Sequence, residues 1–161
     1  MNHLSTIQKE FIKFAQDMNG EVHKEQEKRL ELRELPKDCL SIEPKIIKQG
    51  KLRDVKNCDK SIAYARIRMT KESGKDPQYS LGVKHLPLQQ ESETNISKEM
   101  FDCFYPDNLD GPQEKLRYCL PSGWDVDVII KSDKDKGKIF AEYEHRKNEK
   151  VLTPTDWVVK N

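Results

Sequence analysis

The sequence predicts an α+β fold made mainly of antiparallel strands, with a few helices beside them. Several segments alternate polar and apolar residues, and successive side chains of a strand point to opposite faces. Two other segments repeat apolar residues every three to four positions, which is typical of amphipathic helices. The polar faces of the strands are also sorted by charge, because single strands carry either cationic or anionic pairs.

Length and charge limit the classes of protein to consider. The chain has 161 residues, which predicts a single domain, and its net charge of +1 gives no long-range attraction to nucleic acid or anionic membranes. There is no apolar run of the roughly 20 residues that a membrane helix needs, and no apolar core of a signal peptide. The 4 cysteines form no CxxC pair, so we expect reduced thiols in a cytoplasmic protein.

The N-terminal segment predicts a helix over residues 4–18. Its apolar positions are Leu4, Ile7, Phe11, Phe14 and Met18. We expect this stripe to dock on the domain or on a partner subunit, so a homodimer or a protein partner through 4–18 is a prediction. Residues 1–28 are therefore interpreted as a helix and linker, and residues 29–161 as the main domain.

The next segments predict strands in chain order. Residues 29–35 alternate, with Arg29, Glu31 and Arg33 on one face, and Pro36 should end the strand. Residues 42–52 form an extended segment that we expect to close in a Gln49-Gly50 turn. Further strands are predicted at 61–70 and 78–85, joined by a turn at 71–77.

The second half begins with a strand at 89–96, in which Glu91 and Glu93 share a face. Ser97 should cap a short helix that ends near Tyr105. A strand at 115–120 follows, then a hairpin at 123–146, and last a packed segment at 151–159 that contains Trp157.

Four carboxylates share one face of the predicted hairpin. They are Asp125, Asp127, Glu142 and Glu144, while Val126 and Ala141 face the other way. Like charges this close repel each other unless a positive charge or water neutralises them. A metal ion, neighbouring Arg and Lys side chains, or bulk water are the three alternatives, and the sequence leaves them open.

The sorted faces predict a ligand chemistry. Cationic positions at Arg66, Arg68, Lys84, Lys115 and Arg117 are suited to phosphate oxygens, because guanidinium groups bind them bidentately. Anionic pairs are suited to a hard divalent cation. An open sheet with its charged face in water and a barrel with its charges inside would both produce this pattern.

In order along the chain, the motifs resemble those of the CYTH domain of the triphosphate tunnel metalloenzyme superfamily. The matching pieces are Glu31 to Arg33, Gln49-Gly50-Lys51-Leu52, Arg66-x-Arg68, the strand ending in Lys84, Glu91-x-Glu93, Lys115-x-Arg117, Trp124 to Asp127, and the Lys136-Gly137 turn with Ala141 to Glu144. The resemblance covers residues 29–159.

The resemblance implies a closed, eight-stranded antiparallel barrel, or tunnel, with a charged interior that binds a triphosphate and Mg²⁺ or Mn²⁺. It implies phosphate-binding roles for Arg66, Arg68, Lys84, Lys115 and Arg117. It also implies metal-binding roles for Glu31, Glu142 and Glu144, and places Glu31 and Arg33 at the catalytic centre. Glu91, Glu93 and Asp127 would orient these groups or the substrate.

The function implied is hydrolysis of a triphosphate-bearing substrate, inorganic or organic. The first strand departs from the family pattern E-x-E-x-K, because Arg29 replaces a carboxylate and Arg33 replaces the lysine. This departure keeps an alternative open: a catalytically weak tunnel that binds a nucleotide or phosphorylated ligand. An adenylyl cyclase of the CYTH type is a further alternative, and we do not expect nucleic acid as a ligand, except for an RNA 5′ end.

Overall fold

A computed structural model of the protein describes residues 23–24, 26–86, 90–146 and 148–161. The predicted helix at 4–18 lies outside these residues. The strands are β1 (His23–Lys24), β2 (Gln26–Leu32), β3 (Lys45–Leu52), β4 (Ile62–Lys71), β5 (Gln78–His85), β6 (Gln90–Asn95), β7 (Leu109–Cys119), β8 (Asp125–Lys131) and β9 (Ile139–His145). The helices are a 3-10 helix (Lys37–Ser41), α1 (Val55–Cys58) and α2 (Lys98–Phe104).

The strands are hydrogen-bonded in the order β1-β6-β5-β4-β3-β7-β8-β9-β2. Eight of them correspond to the eight predicted strands, and β1, the ninth, is only 2 residues long. The predicted class, a mainly antiparallel sheet with few helices, is confirmed. Within the part of the chain that the structure describes, no helix combines the length and hydropathy needed to cross a bilayer.

The chain divides into two compact units. Among the described residues, unit 1 comprises those within 23–24, 48–70 and 77–112, and unit 2 comprises those within 26–47, 71–76 and 113–161.

Unit 1 is organised around the antiparallel strands β4, β5 and β6. Its apolar core contains Ile67, Leu81 and Val83 with Phe101 of α2. The Ser97 hydroxyl accepts a hydrogen bond from the Met100 amide at 3.1 Å, so the predicted N-cap of this helix is confirmed.

The predicted turn at Gln49-Gly50 is wrong, because both residues lie inside β3 and are buried. Gly50 is required because the Leu109 side chain approaches its backbone closely, and not because the chain turns there. A Cβ atom at position 50 would lie 2.7 Å from Cδ1 and 2.9 Å from Cβ of Leu109, distances that side chains do not tolerate.

Unit 2 contains β7, β8, β9 and β2, paired antiparallel in that order. The predicted hairpin is present, and its apolar face buries Val126 and Ala141 completely. Trp124 and Trp157 complete this core, with ring centroids 5.2 Å apart in an edge-on arrangement. The predicted packing of the terminal segment is thereby confirmed.

The first predicted strand is shifted in the structure. β2 runs from Gln26 to Leu32, so it starts three residues before position 29 and ends before Arg33. Lys28 lies on the same face of β2 as Leu30 and Leu32 and breaks the alternation, so the sequence pattern does not show where the strand begins. Its Nζ donates a hydrogen bond to the Val151 carbonyl at 3.2 Å, so the amine is satisfied although its stem lies on the core side.

Candidate functional site

Two clusters of charged residues lie on the polar faces of the strands, one in each unit. The Tyr64 face of unit 1 consists of Gln49, Lys51, Tyr64, Arg66, Arg68, Lys84, Glu91 and Glu93. The Asp127 cluster of unit 2 consists of Arg29, Lys115, Arg117, Asp125, Asp127, Phe140 and Glu142.

Strand β4 sets the geometry of the Tyr64 face. Ala65 and Ile67 are buried, whereas Tyr64, Arg66 and Arg68 alternate with them and are half-buried. The alternation predicted for this strand is therefore confirmed.

Three cations surround one aromatic ring on this face. The Nζ atoms of Lys51 and Lys84 lie 5.0 Å and 5.7 Å from the centroid of the Tyr64 ring, and the Cζ atom of Arg66 lies 5.9 Å from it. The negative face of a phenol ring attracts cations within about 6 Å. Tyr64 therefore gathers positive groups that would otherwise repel one another.

Each arginine of the Tyr64 face is held by a side chain of another strand, Arg66 by one from β6 and Arg68 by one from β3. Arg66 Nη2 lies 3.2 Å from Glu91 Oε1, and Arg68 Nε donates to Gln49 Oε1 at 2.9 Å. Glu93 is exposed on the same strand as Glu91.

The Tyr64 face has an excess of positive charge. Its four cations outnumber its two carboxylates, which leaves a formal charge of +2 (4 − 2). The predicted phosphate-binding residues Arg66, Arg68 and Lys84 are thus brought together with Lys51, and the surplus charge suits an anionic ligand.

Asp127 is the centre of the unit 2 cluster and is only 2% exposed. Its Oδ2 atom lies 2.7 Å from Lys115 Nζ. Arg117 donates two hydrogen bonds to the same carboxylate, from Nε to Oδ1 at 2.8 Å and from Nη2 to Oδ2 at 2.9 Å. The predicted phosphate-binding pair Lys115 and Arg117 is therefore fixed in place by one buried carboxylate.

Burial and ion pairing act in opposite directions on this cluster. Burial by itself raises the pKa of Asp127, but the hydrogen bond from Arg117 and the charges of Lys115 and Arg117 outweigh it, so the pKa lies below its ordinary value of 3.8. Burial likewise opposes the charge of Arg117, and the hydrogen bonds and charge of Asp127 raise its pKa overall. Asp127 is thus an anion that holds two cations.

This lowered pKa predicts an acid-sensitive fold. A carboxyl group with a folded pKa below its unfolded value contributes stability in full above pH 3.8, and that contribution is lost as the pH falls through the folded value. We expect the free energy of unfolding, measured by urea titration followed by circular dichroism, to drop below about pH 4. Asp127→Asn should flatten this drop, and identical pH profiles of the two proteins would contradict the prediction.

Glu142 faces a guanidinium group at each of its oxygens. Oε1 lies 3.4 Å from Arg29 Nε, and Oε2 lies 3.9 Å from Arg117 Nη2. Asp125 is opposite Glu142 in the sheet and lies 3.9 Å from Arg117 Nη1. Arg29 also lies 4.2 Å above the centroid of the Phe140 ring.

The remaining predicted residues are dispersed in unit 2. Glu31 pairs opposite Phe140 in the sheet, and its Oε2 lies 2.8 Å from Lys160 Nζ. Glu144 is exposed opposite Glu27. Arg33 follows β2 in a bend and is exposed, so the predicted strand face that would join it to Glu31 does not extend that far.

The residues predicted to bind Mg²⁺ or Mn²⁺ do not fit a metal site in this arrangement. A hard divalent cation needs several oxygen ligands that converge on one point. Glu31 faces Lys160 and Glu142 faces two arginines, so cations already neutralise both carboxylates. Among the described residues, no three or more His, Cys, Asp or Glu side chains are grouped so that they could hold a metal ion.

Sequence reasoning missed two parts of these clusters. The sequence predicts a turn at Gln49-Gly50 and therefore does not place Gln49 and Lys51 together, although both lie on one face of β3. Arg29 was noted only as a departure from a motif, and its pairing with Glu142 depends on the register between β2 and β9.

Structural comparison identifies relatives of the fold. No protein-family model and no curated protein sequence matches the chain. A crystal structure of the inorganic triphosphatase NE1496 matches with a TM-score of 0.52 and 21% sequence identity, covering 86% of this chain and 87% of that one. A crystal structure described as the hypothetical protein NE1496 matches with a TM-score of 0.51 and 18% identity, covering 84% and 87%.

At sequence identities this low, the two matches establish the fold alone. This fold agrees with the resemblance that the strand motifs indicate. The chain shares its fold with the NE1496 structures, as the resemblance to the CYTH domain leads one to expect.

Proposed function

We propose that this protein binds the triphosphate group of an inorganic or organic triphosphate inside a closed tunnel and hydrolyses it. The observation that carries the proposal is the Tyr64 face, which holds four cations against two carboxylates. The matching structure of an inorganic triphosphatase adds support from the fold.

The strand order supports closure of the sheet. β1 pairs with β6 at one end of the order, and β2 pairs with β9 at the other end. One residue separates β1 from β2, so the two ends of the order are joined by the chain itself. In a closed barrel of this kind, alternate residues of each strand line the interior.

The cations suit the chemistry of phosphoryl transfer, which depends mainly on positioning and on neutralising the phosphate oxygens. Arg66 and Arg68 offer planar forks for two oxygens each, whereas Lys51 and Lys84 act as point charges. Water is the nucleophile in the proposed hydrolysis. A cyclase would instead use a ribose hydroxyl of its substrate and would need to seat a nucleoside as well.

Phosphate release tests the proposal directly. The purified chain is incubated with tripolyphosphate, ATP or 5′-triphosphorylated RNA, each with Mg²⁺, with Mn²⁺ and with EDTA. We expect release from at least one of these substrates, and loss of that release in the Arg66→Ala variant. Formation of a cyclic nucleotide without phosphate release would favour the cyclase. No product above the Arg66→Ala background in any buffer would refute hydrolysis.

A second candidate function is binding without turnover, and the pairing of Glu142 with Arg29 favours it. A carboxylate whose two oxygens each face a guanidinium group is a poor ligand for the metal ion that would activate a water molecule. In this case tripolyphosphate would raise the melting temperature of the protein while the phosphate-release assay stayed at background. Residues 4–18 remain a predicted contact for a second copy or a protein partner.

A further inference from the structure

We infer that Arg29 is a built-in counter-ion for Glu142, so that triphosphate binding by this protein does not require a divalent metal ion. The inference rests on the proposed function and on the phosphate-binding role predicted for Arg117, and it concerns how the carboxylates beside Arg117 are neutralised.

The sheet register places Arg29 against Glu142. The two residues are direct partners in the antiparallel pair of β2 and β9, so their backbones are fixed opposite each other. Arg29 Nε lies 3.4 Å from Glu142 Oε1. The Phe140 ring, 4.2 Å from the guanidinium carbon, supports it from below by a cation–π contact.

The charges of the Asp127 cluster cancel without any added ion. Arg29, Lys115 and Arg117 supply three positive charges, and Asp125, Asp127 and Glu142 supply three negative charges. Arg117 contributes to all three carboxylates, at 2.8 Å from Asp127 and 3.9 Å from both others. The carboxylate that would repel a polyanion next to Arg117 is therefore already neutralised.

A divalent cation would compete with Arg29 for the same carboxylate. Two positive groups at one oxygen repel each other, and water screens part of this repulsion, since the side chains of Glu142 and Arg29 are 23% and 55% exposed. Either a divalent ion or an arginine can therefore neutralise the charge of Glu142. In this chain the arginine is Arg29 of β2.

Calorimetric titration of the full chain with tripolyphosphate tests the inference. We expect binding in EDTA, with an affinity within about threefold of that measured in Mg²⁺ after correction for Mg²⁺–tripolyphosphate complexes. Titration with Mn²⁺ alone, followed by the loss of the free-ion electron paramagnetic resonance signal, should show no uptake by the unaltered protein.

Arg29→Gln should create a requirement for metal. Removing the guanidinium leaves the Glu142 Oε1 atom exposed to the ligand, so affinity in EDTA should fall by about tenfold or more and Mn²⁺ should restore it. Arg29→Lys keeps the charge and should retain binding in EDTA. Arg146→Gln, an exposed position after β9, is the matched control and should behave like the unaltered protein.

The outcomes separate this inference from the proposed function. Binding by the unaltered protein only when metal is present would overturn the inference and leave the proposed function intact. Equal binding in EDTA by the unaltered protein and by Arg29→Gln would also overturn it. Absence of tripolyphosphate binding in every buffer would overturn the proposed function, and the inference with it.

Discussion

Replacement of Asp127 by alanine is expected to lower the free energy of unfolding by about 3–5 kcal/mol, the usual cost of removing one partner of a buried ion pair. The side chains of Lys115 and Arg117 are only 6% and 15% exposed, and both lose their nearest counter-charge. Urea unfolding at pH 7, followed by tryptophan fluorescence, measures the change in unit 2.

Two variants make this prediction specific. Asp127→Asn keeps the shape and removes the charge, so it should also destabilise the protein strongly. Asp133→Ala removes a carboxylate from an exposed turn position of the same unit, between β8 and β9, and should leave the urea midpoint unchanged. A loss below about 1 kcal/mol for Asp127→Ala would show that Asp125 and Glu142 alone neutralise the buried cations.

Replacement of Arg66 by alanine is expected to weaken tripolyphosphate binding by roughly ten- to hundredfold, which corresponds to about 1.5–3 kcal/mol for hydrogen bonds to a charged group. Arg66 is central on the Tyr64 face, since it contacts both the Tyr64 ring and Glu91. Its removal takes away a forked donor and half of the surplus charge of +2. Calorimetric titration measures the change.

The matched control is Arg53→Ala, which removes an arginine from the same unit. Arg53 is half-exposed and pairs with Asp110 at 3.4 Å, outside the Tyr64 face. The Arg53→Ala variant should bind tripolyphosphate as the unaltered protein does. Circular dichroism checks that both variants fold. If Arg53→Ala and Arg66→Ala lose affinity equally, the effect comes from net charge, and the Tyr64 face is not the binding site.

Most of the strand layout could be predicted because alternation is a local signal. β4 alternates from Tyr64 to Met69, the hairpin alternates at 125–128 and 141–144, and Ser97 precedes a helical apolar stripe, so each can be predicted from neighbouring residues. β2 was displaced because Lys28 lies on the apolar face. The amine of Lys28 is bound by the carbonyl of Val151, which is remote in sequence, so the neighbouring residues give no sign of this hydrogen bond.

The Gln49-Gly50 error has a similar origin. A glycine after a polar residue usually indicates a turn. Here the glycine is required by the Leu109 side chain, which belongs to another strand.

The structure brings part of the predicted site together and gives its carboxylates other partners than the sequence predicts. The cationic residues were selected because their spacing places them on one strand face, and the structure brings Arg66, Arg68 and Lys84 together in unit 1. The carboxylates were assigned to a metal by analogy, whereas register places Arg29 opposite Glu142 and charge brings Lys160 to Glu31. Register depends on tertiary packing, which no short motif encodes.

The edge-on pair of Trp124 and Trp157 determines what optical measurements can report. These are the only 2 tryptophans of the chain, and both belong to unit 2. Intrinsic emission excited at long wavelength therefore follows the melting of unit 2 and is blind to unit 1, whose aromatic residues are tyrosines and phenylalanines. Emission and far-ultraviolet dichroism will give coincident denaturation curves only if the two halves of the protein come apart in one cooperative step.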